Sequence, residues 1–220
     1  MKRRNQLPAL LAAGLLLLAT CTKENKVRLF NGKDLNNWVS VLLDSIADPA
    51  DVFIIRDGDL WISGQPYGYI ATRDAYSNYK LHVEWRWPDK PANSGVFLHV
   101  QGINPTGWPS CIEAQLAAGN AGQMIFMGQG TGLTAGDSTY RTTPEMTRSS
   151  RVGRMEESSE KPAGEWNSYD ITCREGSIEL LVNGVLQNQG TGCTLKSGRI
   201  ALQSEGGPVE FRNVYLEPLR

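Results

Sequence analysis

Histidine is nearly absent from this chain, with two in 220 residues, and cysteine is scarce, with four. No Cys-x-x-Cys pair and no His/Cys spacing of the zinc-ligand kind occurs, so the sequence offers no argument for a zinc site. Neither sign of charge dominates: 22 basic against 23 acidic side chains give a formal net charge of −1. Such a chain casts no global basic field, and nucleic acid is not an expected partner. No apolar run reaches the roughly 20 residues that a membrane-spanning helix requires. What remains is a chain with 23 glycines, 11 prolines and six tryptophans, cut into many short apolar runs. That pattern predicts an all-β protein of strands and tight turns. One domain of roughly 200 residues can bury a full core without metals or disulfides.

The first residues stand apart from that domain. Met1-Lys2-Arg3-Arg4 supplies positive charge, and the apolar run Leu10–Ala19 follows it. The run ends in Leu18-Ala19-Thr20-Cys21, which resembles the lipobox of bacterial lipoproteins, whose cysteine is lipidated. Residues 1–21 are therefore read as a lipoprotein signal peptide, 22–26 as a polar tether, and 27–220 as the folded domain. The expectation is export and lipid anchoring through Cys21 in a bacterial cell envelope. Setting Cys21 aside leaves Cys111, Cys173 and Cys193. Cys173 and Cys193 flank a hairpin and can pair, although three unpaired and mostly buried cysteines is the plainer reading. As a catalytic thiol, Cys111 would need an activating partner such as His99.

The most informative stretch runs from His82 to Leu116. Strand side chains alternate between two faces, so residues two apart share one. In the first segment Val83, Trp85 and Trp87 share a face, which assigns the two tryptophans to the core, while His82, Glu84 and Arg86 point the other way. In Gly95–Val100, alternation sets Val96, Leu98 and Val100 against Gly95, Phe97 and His99. In Cys111–Leu116 it sets Ile112, Ala114 and Leu116 against Cys111, Glu113 and Gln115. If the polar faces join, one patch holds both histidines, Glu84, Arg86, Glu113 and Gln115.

Elsewhere Asp57-Gly58, Glu175-Gly176 and Asn183-Gly184 signal hairpin turns between apolar strands. Residues 44–50 are expected to form one helical turn. Residues 117–163 read as a long irregular loop bordering the patch, broken by one strand at Met124–Met127. Strands are expected near 168–174, 178–182, 185–188, 198–203 and 209–216. Regularly spaced short strands without a long helix predict a two-sheet antiparallel sandwich or jelly roll.

An ordered set of short motifs then carries a family resemblance. It comprises Leu29-Phe-Asn-Gly-Lys-Asp-Leu35 with Trp38, Glu84-Trp-Arg86, Asn93-Ser-Gly-Val-Phe97, Glu113-Ala-Gln115 and Gly164-Glu-Trp-Asn167. Asn183-Gly184, Gly198–Gly206 and Phe211–Val214 complete it. Together they resemble the 3-keto-disaccharide hydrolase domain family over about Val27 to Leu219. The resemblance implies a concanavalin A-like jelly roll and cleavage of glycosides whose sugar carries a ketone at C3. It implies a carbohydrate substrate. Where some members carry His, this chain has Glu205.

A C3 ketone acidifies the C2 proton, so one base can form an enolate that expels the C1 oxygen. Such chemistry needs a base poised near neutral pH, an electrophile for the enolate oxygen and an acid for the leaving group. The candidates are His99 or Glu113 as base, Arg86 or a divalent cation at the oxyanion, and Glu84 as acid or as the group orienting Arg86. Asn93, Gln115, Gln203 and Glu205 are candidate substrate contacts, and Trp108 or Trp166 a stacking platform. A conventional glycosidase of this fold would want a Glu-x-Asp-x-x-Glu pattern. Here Leu116-Ala117-Ala118 follows Glu113-x-Gln115, so the second and third acids are missing. The alternative from another class is a non-catalytic glycan-binding module, since fold alone does not settle function.

Overall fold

The computed structural model describes residues 25–104, 107–143 and 150–220. In chain order its elements are β1 (Val27–Arg28), β2 (Trp38–Leu42), α1 (Pro49–Val52), β3 (Phe53–Arg56), β4 (Asp59–Ile62), β5 (Gly68–Thr72), β6 (Tyr79–Arg86), β7 (Gly95–Gln101) and β8 (Ser110–Gln115). They continue with β9 (Met124–Met127), β10 (Gly132–Ala135), β11 (Ser138–Arg141), β12 (Ser150–Val152), β13 (Asn167–Arg174), β14 (Ser177–Val182), β15 (Val185–Gly190), β16 (Arg199–Ser204) and β17 (Val209–Pro218). Two antiparallel sheets form the sandwich. Sheet A runs β15-β14-β13-β6-β17-β4-β3, with β1 also on β17, and sheet B runs β12-β9-β8-β7-β16-β5-β2. The expected all-β jelly roll is the fold.

The turns follow from local chemistry. Asp57-Gly58, Glu175-Gly176 and Asn183-Gly184 each hold positive φ at both positions, the conformation whose twist matches antiparallel strands. The helical turn lies later than the expected 44–50, because Asp48 caps it by accepting from the Ala50 N–H at 2.9 Å, with Pro49 at the first helical position. The stretch 117–163 is more ordered than the sequence suggests. Besides β9 it holds the β10–β11 hairpin and β12, which pairs with β9 through Arg151 opposite Ile125. These strands are short and lack apolar alternation, so their pairing partners define them rather than their own pattern.

Alternation supplies the core. From sheet A, Leu81, Val83, Trp85, Tyr169, Ile171 and Phe211 point inward, each no more than 1% exposed. Val96, Leu98, Ile112, Ala114, Phe126, Ile200 and Leu202 meet them from sheet B. Burying each large apolar side chain contributes about 1.5–3 kcal/mol. Cys111, Cys173 and Cys193 are buried free thiols, and burial raises the pKa of each.

Candidate active site

The outward positions of sheet B build a floor row by row. One row reads Ala71, Ala201, Phe97, Glu113, Ile125 and Arg151, each residue facing its neighbour across the ladder. The next row holds Tyr69 opposite Gln203 on β5–β16 and Gly95 opposite Gln115 on β7–β8. Beyond it, Asn93 bridges to Glu205 just past the end of β16. The side of the floor towards β5 is aromatic. Trp108 stands edge-on to Phe97 at 5.9 Å and lies 6.3 Å from Tyr67, while Asn104 holds its carbonyl from Nδ2 at 3.1 Å.

Glu113 is the centre of this floor. It is 3% exposed, and its Oε1 is buried without a hydrogen-bond partner. Desolvation, reinforced by the nearby Glu205 charge and offset in part by Arg151, pushes its pKa up to about 8. The carboxyl leans over Gly95, where an added Cβ would overlap it, so a residue without a side chain makes its seat. Glu205 is half-buried, which raises its own pKa, against the lowering effect of Gln203 Nε2, which donates to its Oε2 at 2.7 Å. Gln203 Oε1 and Asn93 Oδ1 are also buried without partners. Three polar oxygens thus lie unpaired around one floor, a costly arrangement in a purely structural face.

A family model, the 3-keto-alpha-glucoside-1,2-lyase-like domain, matches residues 25–217. The chain belongs to that family. Solved structures resemble this lyase-like domain over most of its length. A candidate glycosyl hydrolase of Parabacteroides distasonis is 20% identical with a TM-score of 0.63, covering 89% of this chain and 94% of that one. A second candidate glycosyl hydrolase of the same organism is 22% identical with a TM-score of 0.60, covering 88% and 99%. The β-glucanase of Bacillus licheniformis is 13% identical with a TM-score of 0.57, covering 88% and 97%. No curated protein matches the chain. The family match makes the lyase-like domain a carbohydrate-active protein, and the distant structures share its fold.

The single patch expected from the sequence divides between two faces of the lyase-like domain. Strand β6 belongs to sheet A, whereas β7 and β8 belong to sheet B, so Glu84 and Arg86 lie on the opposite outside of the sandwich from Glu113. There Glu84 accepts from Arg212 Nε at 2.6 Å and from Asn213 Nδ2 at 2.9 Å, and Arg86 pairs with Glu210. Trp166 lies on that side too, under the guanidinium groups of Arg86 at 4.6 Å and Arg212 at 4.0 Å. His82 donates from Nδ1 to Asp170 at 2.6 Å and stacks on Tyr215.

His99 is displaced from the expected face by a β-bulge. It adopts φ +53°, and the β7–β8 register shifts between Leu98 and Gln101. Gly198 packs against its backbone, where a Cβ would overlap the His99 carbonyl. Val100 consequently joins Phe97 on the outer face, and the imidazole turns against Tyr79 of the inner core. Its Nδ1–H donates to Leu195 O at 2.8 Å, and burial lowers its pKa, which keeps the ring neutral. Nor does His99 reach Cys111 as an activating base, because the two face opposite sides of the sheet.

Among the expected substrate contacts, Asn93, Trp108, Gln203 and Glu205 share the Glu113 face. Gln115 Oε1 instead accepts from the Leu116 and Ala117 N–H groups at 2.8 and 2.7 Å, finishing the strand end. Tyr67, Gly95 and Arg151 belong to this face beyond the candidates read from the sequence. Strand parity with Tyr69 was a usable signal for Tyr67. Arg151 had none, because its strand is too short to read. Two carboxylates and two amide oxygens form an all-oxygen donor set of the kind hard cations take. Among the described residues, no group of three or more His, Cys, Asp or Glu side chains gathers to hold a metal ion. Cys21 lies outside the described residues.

Proposed function

We propose that the protein cleaves 3-keto-glycosides by elimination across C1 and C2, followed by hydration. The observation that carries this reading is the buried Glu113 carboxyl, its Oε1 free and its pKa at about 8, beside a second carboxyl. The Glu205 charge helps raise Glu113, so the loss of a proton from one carboxyl depends on the other and the two hold one proton over a range of pH. The proton rests mainly on the more strongly raised Glu113, and in the minor form that carries it on Glu205 the poorly solvated Glu113 carboxylate is a stronger base than a surface carboxylate. It takes the proton from C2, whose electrons delocalise onto the C3 ketone oxygen as an enolate. The enolate then collapses, expelling the C1 oxygen, which takes the proton from Glu205. Water adds across the resulting C1–C2 double bond. Gln203 Oε1 and Asn93 Oδ1 are placed to accept from sugar hydroxyls, which would satisfy groups otherwise left unpaired.

The test is incubation with a 3-keto-glucoside and with its unoxidised parent, each with and without chelator. Release of the leaving group from the keto compound alone, with a transient unsaturated ketone, is the expected result. Release from both would identify a conventional glycosidase. Binding with release from neither would identify a glycan-binding module. The one-proton requirement predicts a bell-shaped pH profile whose alkaline limb falls near 8, where the pair loses its last proton.

The N-terminal pattern supports a further part of the proposal, that the mature protein is exported and lipidated at Cys21. Incorporation of a labelled fatty acid into the parent and not into Cys21→Ala is the expected outcome. Equal labelling of both would overturn it.

A further inference from the structure

Tyr67 is 40% exposed and Trp108 is half-buried, whereas Tyr69 and Phe97 on the same face are covered. The position of Tyr67 follows from register. Ser204 pairs with Gly68 across β16 and β5, so the next residues along, Glu205 and Tyr67, flank the end of that ladder. Ser204 Oγ donates to Pro66 O at 3.0 Å, and the Leu43 N–H donates to Tyr67 O at 2.8 Å, which fixes the backbone on both sides. The Tyr67 and Trp108 rings lie 6.3 Å apart, with planes inclined by 30°, so the two are direct neighbours on this face. Trp108 is in turn braced edge-on by Phe97, the strand partner of Glu113.

Tyr67 marks the β5 side of the two carboxyls, and Trp108 joins it to Phe97. Going across sheet B from β5, the order is Tyr67, then Glu205 with Gln203, then Phe97, then Glu113, then Arg151, with the Trp108 ring reaching from Phe97 to Tyr67. The reacting sugar must sit over the carboxyls, because C2 has to come within hydrogen-bond reach of Glu113 and the C1 oxygen within reach of Glu205. The C1 oxygen therefore points towards β5. Whatever it carries continues onto the aromatic pair.

Resting on the elimination reading above, we propose that Tyr67 and Trp108 form a leaving-group subsite, with Tyr67 selecting substrates whose leaving group carries a ring. Both a pyranose and an aryl ring present the weakly polar face that a tyrosine and a tryptophan stack against. A methyl leaving group is too small to reach them. Stacking of this kind makes ring-bearing substrates bind about tenfold tighter than methyl ones.

The test measures binding by calorimetry for methyl, phenyl and glucosyl 3-keto-glucosides, using the Glu113→Gln protein so that nothing is consumed. The phenyl and glucosyl compounds are expected to bind about tenfold tighter than the methyl compound. Adding Tyr67→Ala should collapse that ratio towards one, and adding Tyr67→Phe should keep it. The relative strength of the phenyl and glucosyl arms separates an aryl from a sugar leaving group. A ratio unchanged in Tyr67→Ala, or an equal loss on all three compounds, would overturn the subsite. Because the readout is binding, it stands apart from the elimination test: an intact ratio effect with no turnover in the parent would retain the subsite and sink the reaction.

Discussion

The outer faces of sheets A and B arise from the same alternation, yet they treat their ionisable groups in opposite ways. On the outer face of sheet A the ionisable groups pair with one another. Glu84 meets Arg212 and Asn213, Arg86 meets Glu210, His82 meets Asp170, and Trp166 lies under two guanidinium groups. On sheet B the central carboxyl is buried with an oxygen unpaired, and Gln203 and Asn93 are left with bare oxygens beside it. A face evolved for folding closes its hydrogen bonds, since each open one costs about 1–3 kcal/mol when buried. The face that keeps three open is set up to have them closed by something else. Density of charged residues is therefore a poor guide to the site here. Sheet A has more of them.

The largest effect that sharpens this contrast is expected from Glu113→Gln. The change is isosteric and removes only the ability to ionise. Turnover of a 3-keto-glucoside should fall by about 10²–10⁴-fold, measured by leaving-group release. Stability should move the other way with pH. A carboxyl raised from 4.5 to about 8 stabilises the fold fully below its unfolded pKa, and that support is lost as pH rises through the folded value. The parent's Tm should decline between those two pH values, and Glu113→Gln should flatten the decline. A parallel decline in both proteins would remove Glu113 as its source.

Next in size is Gly95→Ala. The new methyl would occupy the seat of the Glu113 carboxyl and tilt it away from the reacting carbon. A displacement of about 1 Å costs up to roughly 10²-fold in rate, so kcat should drop about 10–100-fold with the fold retained by circular dichroism. Full activity would show that the carboxyl need not rest there.

The reasons why some of this was legible in the sequence and some was not are physical. Alternation correctly assigned Trp85 inward and Glu113, Phe97 and Gly95 outward, because these strands are regular through those residues. The hairpins at Asp57-Gly58 and Asn183-Gly184 were readable because their turns require positive φ, which Gly and Asn favour. His99 was misplaced because one bulge residue reverses parity for everything after it, and nothing in Leu98-His99-Val100 announces the bulge. Glu84 and Arg86 were grouped with Glu113 because alternation gives a face and not a sheet. The Trp87–Ser94 connection carries the chain across the sandwich, and a Pro-containing link looks the same whether it closes a hairpin or crosses to the other layer.

A smaller expected effect tests the same contrast from the sheet A side. Glu84→Ala and Arg86→Ala each remove part of a cross-strand ladder whose side chains remain partly in water. Exposed pairs contribute about 0–1 kcal/mol, so each variant should lose little stability. Turnover should match the parent, because neither residue shares a face with Glu113. A hundredfold loss of kcat in either variant would mean that the two faces communicate, and the division between a structural and a reactive face would fail.

The smallest effect is expected at His82, and it is visible only through pH. The hydrogen bond that the imidazole donates to Asp170, with help from Glu84, raises its pKa above the ordinary 6.5 despite partial burial. A histidine raised in this way supports the fold fully below its unfolded pKa and loses that support as pH rises through the folded value. The Tm difference between the parent and His82→Gln should therefore be largest below pH about 6 and should close on the alkaline side. Turnover at any one pH should be unaffected, since the ring stacks on Tyr215 outside sheet A and reaches nothing on the reactive floor. A Tm difference that stays constant across the range would assign His82 to packing on Tyr215 alone. A change in the pH–rate profile would instead tie the sheet A network to the carboxyl pair, through the core that separates them.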